Sequence, residues 1–267
     1  MRVLAWDIEL TPLNVWSWSL YPDYIPIQML RERQHMLCFG ARWVGSKQVI
    51  FKSTYHDGKE AMLQEVHDLL DEADATISWN GAGFDTKHVR REFLEAGMKP
   101  PSPWKEIDLM RTAKSQFKFP SNKLDYVAQD LGVGKKTEHT GFQLWLDCMG
   151  IPEFDLMNAT WEEIQAAREV AKTSQAKFWP LMKRYQKQDV DLLIDLYDYL
   201  LPWIPNHPNV ALYNDVPNGC KQCSRTNLQR RGFALTGSRK YQRYVCNDCG
   251  TWQRGTKSVS SDTTEMR

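Results

Sequence analysis

The chain has 267 residues, 42% hydrophobic and 25% charged, which allows one domain with a full core plus a small appendage. No apolar run reaches membrane-spanning length, and the opening MRVLAWDIEL enters a strand pattern with no signal-peptide core, so no membrane partner and a cytoplasmic address are expected. Net charge is only +1, but residues 220–257 hold nine Lys or Arg against Asp248, a surplus of +8; with −1 in the last ten residues, the first 219 carry −6. A mildly acidic body with a basic tail points to polyanion binding at the tail.

Val3–Leu10 alternates apolar residues with Asp7 and Glu9, a strand whose two carboxylates share one face. An isolated Asp-x-Glu reads either as a solvated edge strand or as ligands for a cation. The second reading needs further carboxylates, because a divalent metal takes several oxygen ligands. Residues 11–34 follow neither period and carry Trp16, Trp18, Tyr21 and Tyr24 among three prolines. The first choice for this loop is a satellite core, the second a surface on which bases stack. It leaves directly from Glu9, so it lies near the carboxylates. Residues 36–43 and 48–51 read as a hairpin around Gly45-Ser46-Lys47, and 59–74 as a helix with Met62, Leu63, Val66, Leu69 and Leu70 on the stripe that meets the sheet.

Residues 75–79 form a short buried strand ending at the turn Asn80-Gly81-Ala82-Gly83, after which Phe84-Asp85 opens a helix carrying Val89, Phe93 and Leu94 inward. A carboxylate at that hand-over sits at the carboxyl end of the sheet, where open α/β folds place ligands; Asp85 as a simple helix cap is the competing reading. Residues 122–131 make another helix with Leu124, Val127 and Leu131 inward. The run Gly132-Val133-Gly134-Lys135-Lys136-Thr137 is no nucleotide-binding loop, since position 129 is Gln where the first glycine belongs and a helix precedes it. Lys135 and Lys136 either touch a phosphate backbone or, more ordinarily, stay solvated. Thr160-Trp161-Glu162-Glu163 is a capping box opening a helix to about residue 173. In the helix 179–201, Tyr185, Asp189, Leu192, Leu193, Leu196 and Leu200 share one face, while Asp191, Asp195 and Asp198 lie opposite. A carboxylate on the packed stripe must be paired, protonated or metal-bound, and the Tyr185 hydroxyl projects alongside it.

Asp7 and Glu9 on a first strand, Asn80-Gly81-Ala82-Gly83-Phe84-Asp85 at a strand-to-helix turn, and Tyr185-Gln186-Lys187-Gln188-Asp189 on a late helix together resemble the three exonuclease motifs of the DnaQ-like, DEDD superfamily. The Tyr-x-x-x-Asp form is that of its DEDDy subgroup. The resemblance covers residues 1 to about 205 and is greatest to small free-standing members from phages and prophages. It implies an α/β, RNase H-like fold, a mixed sheet flanked by helices, and a host-cytoplasmic address if the chain is phage-encoded. Four carboxylates can hold two Mg²⁺ or Mn²⁺ ions about 4 Å apart, suited to in-line displacement at phosphorus. By resemblance, Asp7, Glu9 and Asp189 hold the nucleophile-side metal, Asp7 bridges, and Asp85 reaches the second metal through water. Tyr185 orients the attacking water, and Asn80 and Phe84 contact the terminal nucleotide. The implied activity is 3′-to-5′ exonuclease action releasing nucleoside 5′-monophosphates from a single-stranded or frayed end, DNA rather than RNA, with replication proteins as possible partners.

Cys220, Cys223, Cys246 and Cys249 form two C-x₂-C pairs 22 residues apart, the spacing of a tetrahedral Zn²⁺ ribbon rather than of disulfides. Between them Arg230, Arg231, Arg239, Lys240 and Arg243 alternate with Phe233, Tyr241 and Tyr244. Cations that neutralise phosphates and rings that stack on bases make a nucleic-acid anchor; the alternative is a ribbon whose aromatics form their own small core. Cys38 and Cys148 read as small core residues. The expected organisation is a nuclease domain over 1–205, a proline-rich linker over 206–218, the ribbon over 219–257 and a disordered tail over 258–267. Two other readings stand beside the exonuclease: a structure-selective endonuclease on the same fold, and a non-catalytic nucleic-acid-binding or recruitment protein.

Overall fold

The computed structural model describes residues 1–152 and 159–259. Most of the expected tail, 260–267, lies outside the described residues. The chain lays down β1 (Val3–Leu10), a small hairpin of β2 (Asn14–Val15) and β3 (Leu30–Glu32), then β4 (Met36–Trp43), β5 (Ile50–Ser53), α1 (Lys59–Glu72), β6 (Ala75–Ser78), α2 (Asp85–Glu95) and β7 (Lys105–Asp108). There follow α3 (Leu109–Gln116), α4 (Leu124–Asp130), α5 (Phe142–Cys148), α6 (Trp161–Ser174), α7 (Trp179–Leu200) and α8 (Val210–Tyr213), and finally β8 (Leu228–Leu235), β9 (Lys240–Cys246) and β10 (Trp252–Ser258).

The main sheet has the order β5-β4-β1-β6-β7, with β1 antiparallel to β4 and parallel to β6. The alternation in β1 decides which residues see which layer. Leu4, Trp6, Ile8 and Leu10 face Met62, Leu63, Val66 and Leu70 of α1 and Val89 and Phe93 of α2. Val3 and Ala5 face Val190, Leu193 and Ile194 of α7 on the other side, so the period of two puts Asp7 and Glu9 on the α7 side as well. The helix α7 can lie close because Gly40, paired with Asp7 across β1 and β4, has no side chain. A Cβ there would come within 2.9 Å of Gln186 Cγ and 3.0 Å of Val190 Cγ2.

Several expectations need correction. Residues 11–34 form a hairpin whose aromatic rings are exposed, not a satellite core. The second strand of the next hairpin is Ile50–Ser53, and α4 begins at Leu124. On α2 the buried partner of Phe93 is Glu92, while Leu94 points to solvent at 78% exposure. Within the segment expected as a linker, Asn209 caps α8 through Leu212 N–H, and Ala211 is buried. The strand β7, Lys105-Glu106-Ile107-Asp108, carries no apolar period and adds a parallel edge beside β6.

Candidate active site

One carboxylate oxygen each from Asp7, Glu9 and Asp189 lies within 4.8 Å of the others. They meet because α7 crosses the carboxyl-terminal half of β1 with its Tyr185 and Asp189 stripe inward. Asp191, on the far side of α7, is spent on an ion pair with Arg42 at 2.5 Å. Asp85 arrives from the opposite layer as the first residue of α2. The capping position belongs to Phe84, and Asp85 Oδ1 instead accepts the backbone N–H of Ile8 at 3.3 Å, between the two strand carboxylates in sequence. The preceding turn is held open by Asn80 in the left-handed region, φ 69°, with its N–H donated to Asp108 Oδ1 at 3.0 Å. Phe84 is part-exposed, its ring tilted against His88 at 4.6 Å.

The four acids crowd one another. Withdrawal from water, then Asp85, Glu9 and Asp189, push the Asp7 carboxyl well above the usual range. Burial likewise raises Glu9 to about 8, against the pull of Lys136, and Asp85 to about 6. Asp189 is also raised by burial, and its Oδ1 is buried with no hydrogen-bond partner. The set therefore holds more negative charge than its protein surroundings balance, and it is made of hard oxygen donors. Mg²⁺ and Mn²⁺ fit such a set; a soft thiolate-seeking ion does not.

Among the described residues the ammonium that reaches this set is Lys136, and the expectation of a solvated loop is wrong for it. Its Nζ donates to Asp189 Oδ2 at 2.5 Å and to the Tyr185 hydroxyl oxygen at 2.9 Å. Burial works against the ammonium, but Asp189, Tyr185 and Asp7 outweigh it and raise its pKa. Asp125 fixes the loop by accepting the Lys136 N–H at 2.8 Å, whereas Lys135 pairs with Glu138 at the surface. Gln186 was equally hidden. Its Nε2 donates to the carbonyl of Asp7 at 2.7 Å and to Asp7 Oδ2 at 3.0 Å, which leaves the other Asp7 oxygen free. Tyr185 is walled in by His139 and Trp145, with ring centroids 4.8 and 5.8 Å away, and Trp145 also hydrogen-bonds Glu9. Burial, Asp189 and Glu9 drive the Tyr185 phenol upward, so it stays protonated.

At the other end of the chain β8, β9 and β10 form a three-stranded sheet, and the four cysteines converge from two turns. Sγ atoms of Cys220 and Cys249 are 3.6 Å apart and those of Cys223 and Cys246 3.7 Å. A disulfide needs about 2.05 Å, while a tetrahedral centre with bonds near 2.3 Å has edges of about 3.8 Å. The thiols could therefore hold a tetrahedral metal. Arg230, Arg231 and Arg243 are exposed. The aromatics do not close into a core of their own. Lys240 lies 3.9 Å over the Phe233 ring, Arg243 4.6 Å over Trp252 and Arg254 4.4 Å over Tyr241.

A family model for the RNase H superfamily matches residues 28–145, a span that includes Asp85 and Lys136 but neither β1 nor α7. The fold is RNase H-like. Among solved structures, the family B DNA polymerase from the hyperthermophilic archaeon Pyrobaculum calidifontis is similar with a TM-score of 0.51 and 17% identity. That match covers 75% of this chain and 24% of the polymerase, so the chain spans about a quarter of that protein. No curated protein sequence matches the chain. No helix among the described residues is long and apolar enough to cross a membrane.

Proposed function

We propose that the chain is a metal-dependent 3′-to-5′ exonuclease of the DEDDy type, acting on single-stranded or frayed ends of nucleic acid, DNA in preference to RNA. The observation that carries this reading is the convergence of Asp7, Glu9 and Asp189 oxygens within 4.8 Å, beside a buried Asp85, in excess of the positive charge available. Asp7, Glu9 and Asp189 would hold one Mg²⁺ or Mn²⁺ and Asp85, with Asp7, a second. Bound ions of this kind supply an activated water and stabilise the departing 3′ oxygen. Tyr185, protonated, orients the water by hydrogen bonding rather than by removing its proton. Gln186 holds Asp7 so that one oxygen stays free. Asn80 and Phe84 contact the terminal nucleotide; Cys220, Cys223, Cys246 and Cys249 would hold a Zn²⁺ that would stiffen the ribbon, and the ribbon grips the strand through Arg230, Arg231, Lys240 and Arg243.

The test is digestion of matched 5′-labelled DNA and RNA oligonucleotides with Mg²⁺ or Mn²⁺. A descending ladder lost in both Asp7→Ala and Asp189→Ala supports the reading and selects the substrate. Nicking of a closed circle would replace it with the endonuclease, and binding without any cleavage would leave a nucleic-acid-binding protein. For the anchor, a Cys220→Ser, Cys223→Ser protein that binds as tightly as wild type would overturn it.

A further inference from the structure

The hairpin of β2 and β3 leaves large aromatic side chains in water. Trp16, Trp18, Tyr21 and Tyr24 are 66%, 95%, 90% and 77% exposed, and large apolar side chains left in water together on one short hairpin point to a binding surface. The rings have not merely failed to fold inward. The stem is pinned where Thr11 N–H donates to His35 O at 2.8 Å and His35 N–H to Thr11 Oγ1 at 2.9 Å. Trp16 N–H donates to Met29 O at 2.9 Å, and the tip is held by its own serines: Ser17 Oγ donates to Ser19 O at 2.6 Å and Ser19 Oγ accepts Tyr21 N–H at 3.2 Å.

Topology says what these rings overlook. The hairpin leaves the carboxyl end of β1 and returns at the start of β4, and β6, parallel to β1, delivers the Asn80–Asp85 turn to that same end of the sheet. It therefore projects from the edge that carries the four acids. Residues 11–35 are charge-neutral, with Asp23 and Glu32 set against Arg31 and Arg33. With no net positive charge to draw in a phosphate backbone, what this hairpin mainly offers a strand is its rings, to the bases. Trp and Tyr rings suit every base because every base offers a π face. The Arg31 guanidinium, 5.4 Å from the Trp16 ring centroid, adds a planar cation to the row.

We propose that the hairpin is a base-stacking platform for unpaired nucleotides of a single strand whose 3′ end enters the carboxylate centre. The proposal rests on the nuclease reading for where the strand leads, not for whether the hairpin binds it. The ribbon and the hairpin then divide the work, the first by phosphate neutralisation and the second by stacking.

Binding of a short labelled oligothymidylate, measured by fluorescence anisotropy without added Mg²⁺ or Mn²⁺ so that nothing is cut, tests it on the full chain. Trp16→Ala with Trp18→Ala should weaken binding roughly tenfold or more, with the salt dependence unchanged because no phosphate contact is lost. An oligonucleotide of abasic residues should bind wild type more weakly by a similar factor and the double variant no more weakly still. Because the rings are exposed, the variant should melt with wild type. Unchanged affinity, the outcome also expected of a hairpin made for a protein partner, overturns the platform, as does an equal loss on the abasic strand. A hairpin-dependent affinity in a protein that hydrolyses nothing would leave the platform standing and sink the nuclease reading alone.

Discussion

Among the described residues, two of the buried acidic sites are solved in opposite ways. Glu92, with no exposed surface, has Lys59 Nζ at 2.8 Å, Arg91 at 3.2 Å and the Met36 N–H at 3.2 Å. Burial raises its pKa, yet these partners more than compensate and the carboxyl ends below the usual range. Asp7, Glu9, Asp85 and Asp189 share a single ammonium, and all four end above it. Both sites are acid taken out of water; only one is matched from within the chain. An acid that is fully paired stabilises a fold, whereas a set left short of positive charge is a receptor for it.

The sharpest break of that comparison crosses activity with stability. Asp7→Asn should reduce hydrolysis to background while leaving the melting temperature at pH 8 equal or higher, because a crowded charge is removed and the amide can still pair with Gln186. Glu92→Gln should retain hydrolysis and lose about 2 kcal/mol from its stranded cations, a fall of roughly 4 to 8 °C for a domain of this size. Equal melting losses in the two variants would make the carboxylate centre an ordinary structural cluster.

Lys136 sharpens the comparison from the side of the cation. Its Nζ sits on Asp189 Oδ2, where a metal ion would have to displace it. Lys136→Met should lower the melting temperature without added metal, since Asp189 then has no cation. It should also reduce the Mg²⁺ concentration for half-maximal thermal stabilisation by about tenfold, the order expected when one competing charge is withdrawn from a partly buried site. A half-maximal concentration that rises would mean the ammonium supports metal binding instead of opposing it.

What the sequence made legible follows the range of the interactions. Asp7 and Glu9 share a face by the period of two, and Asp189 joins Tyr185 by the helical period, so both are read from neighbours within one element. Lys136 is 53 residues from Asp189, on a glycine-bearing loop whose path depends on Asp125, and nothing local distinguishes it from Lys135. Gln186 sits inside the quoted motif, but its role needs the missing side chain of Gly40 on a strand far away in sequence. Glu92 was hidden by its pairing: the apolar pattern of α2 admits Leu94 or Glu92 beside Phe93, and the partner that decides, Lys59, comes from α1. The exposed rings of the hairpin break the rule that apolar residues seek a core, which is how a sequence misleads at a surface made for binding.

The smallest expected effect is one of sign. A carboxylate whose pKa is raised on folding binds its proton more tightly in the native state, so its contribution favours folding at low pH and is lost as pH rises between the unfolded and folded values. Glu9 spans 4.5 to about 8 and Asp85 spans 3.8 to about 6. Without added divalent metal, the melting temperature should therefore decline as pH rises from about 5 to 8, and Asp7→Asn should flatten the decline. Glu92 acts in the opposite sense: lowered from 4.5, its stabilisation is present above that value and lost as pH falls below it. Mg²⁺ binds the deprotonated form, so the rise in melting temperature on adding it should grow with pH across the window that Glu9 and Asp85 define. Thermal melts at a series of pH values, with and without Mg²⁺, read both slopes. A metal-free melting temperature that climbs steadily from pH 5 to 8 would mean that the four acids are already balanced by the chain, and the contrast with Glu92 would disappear.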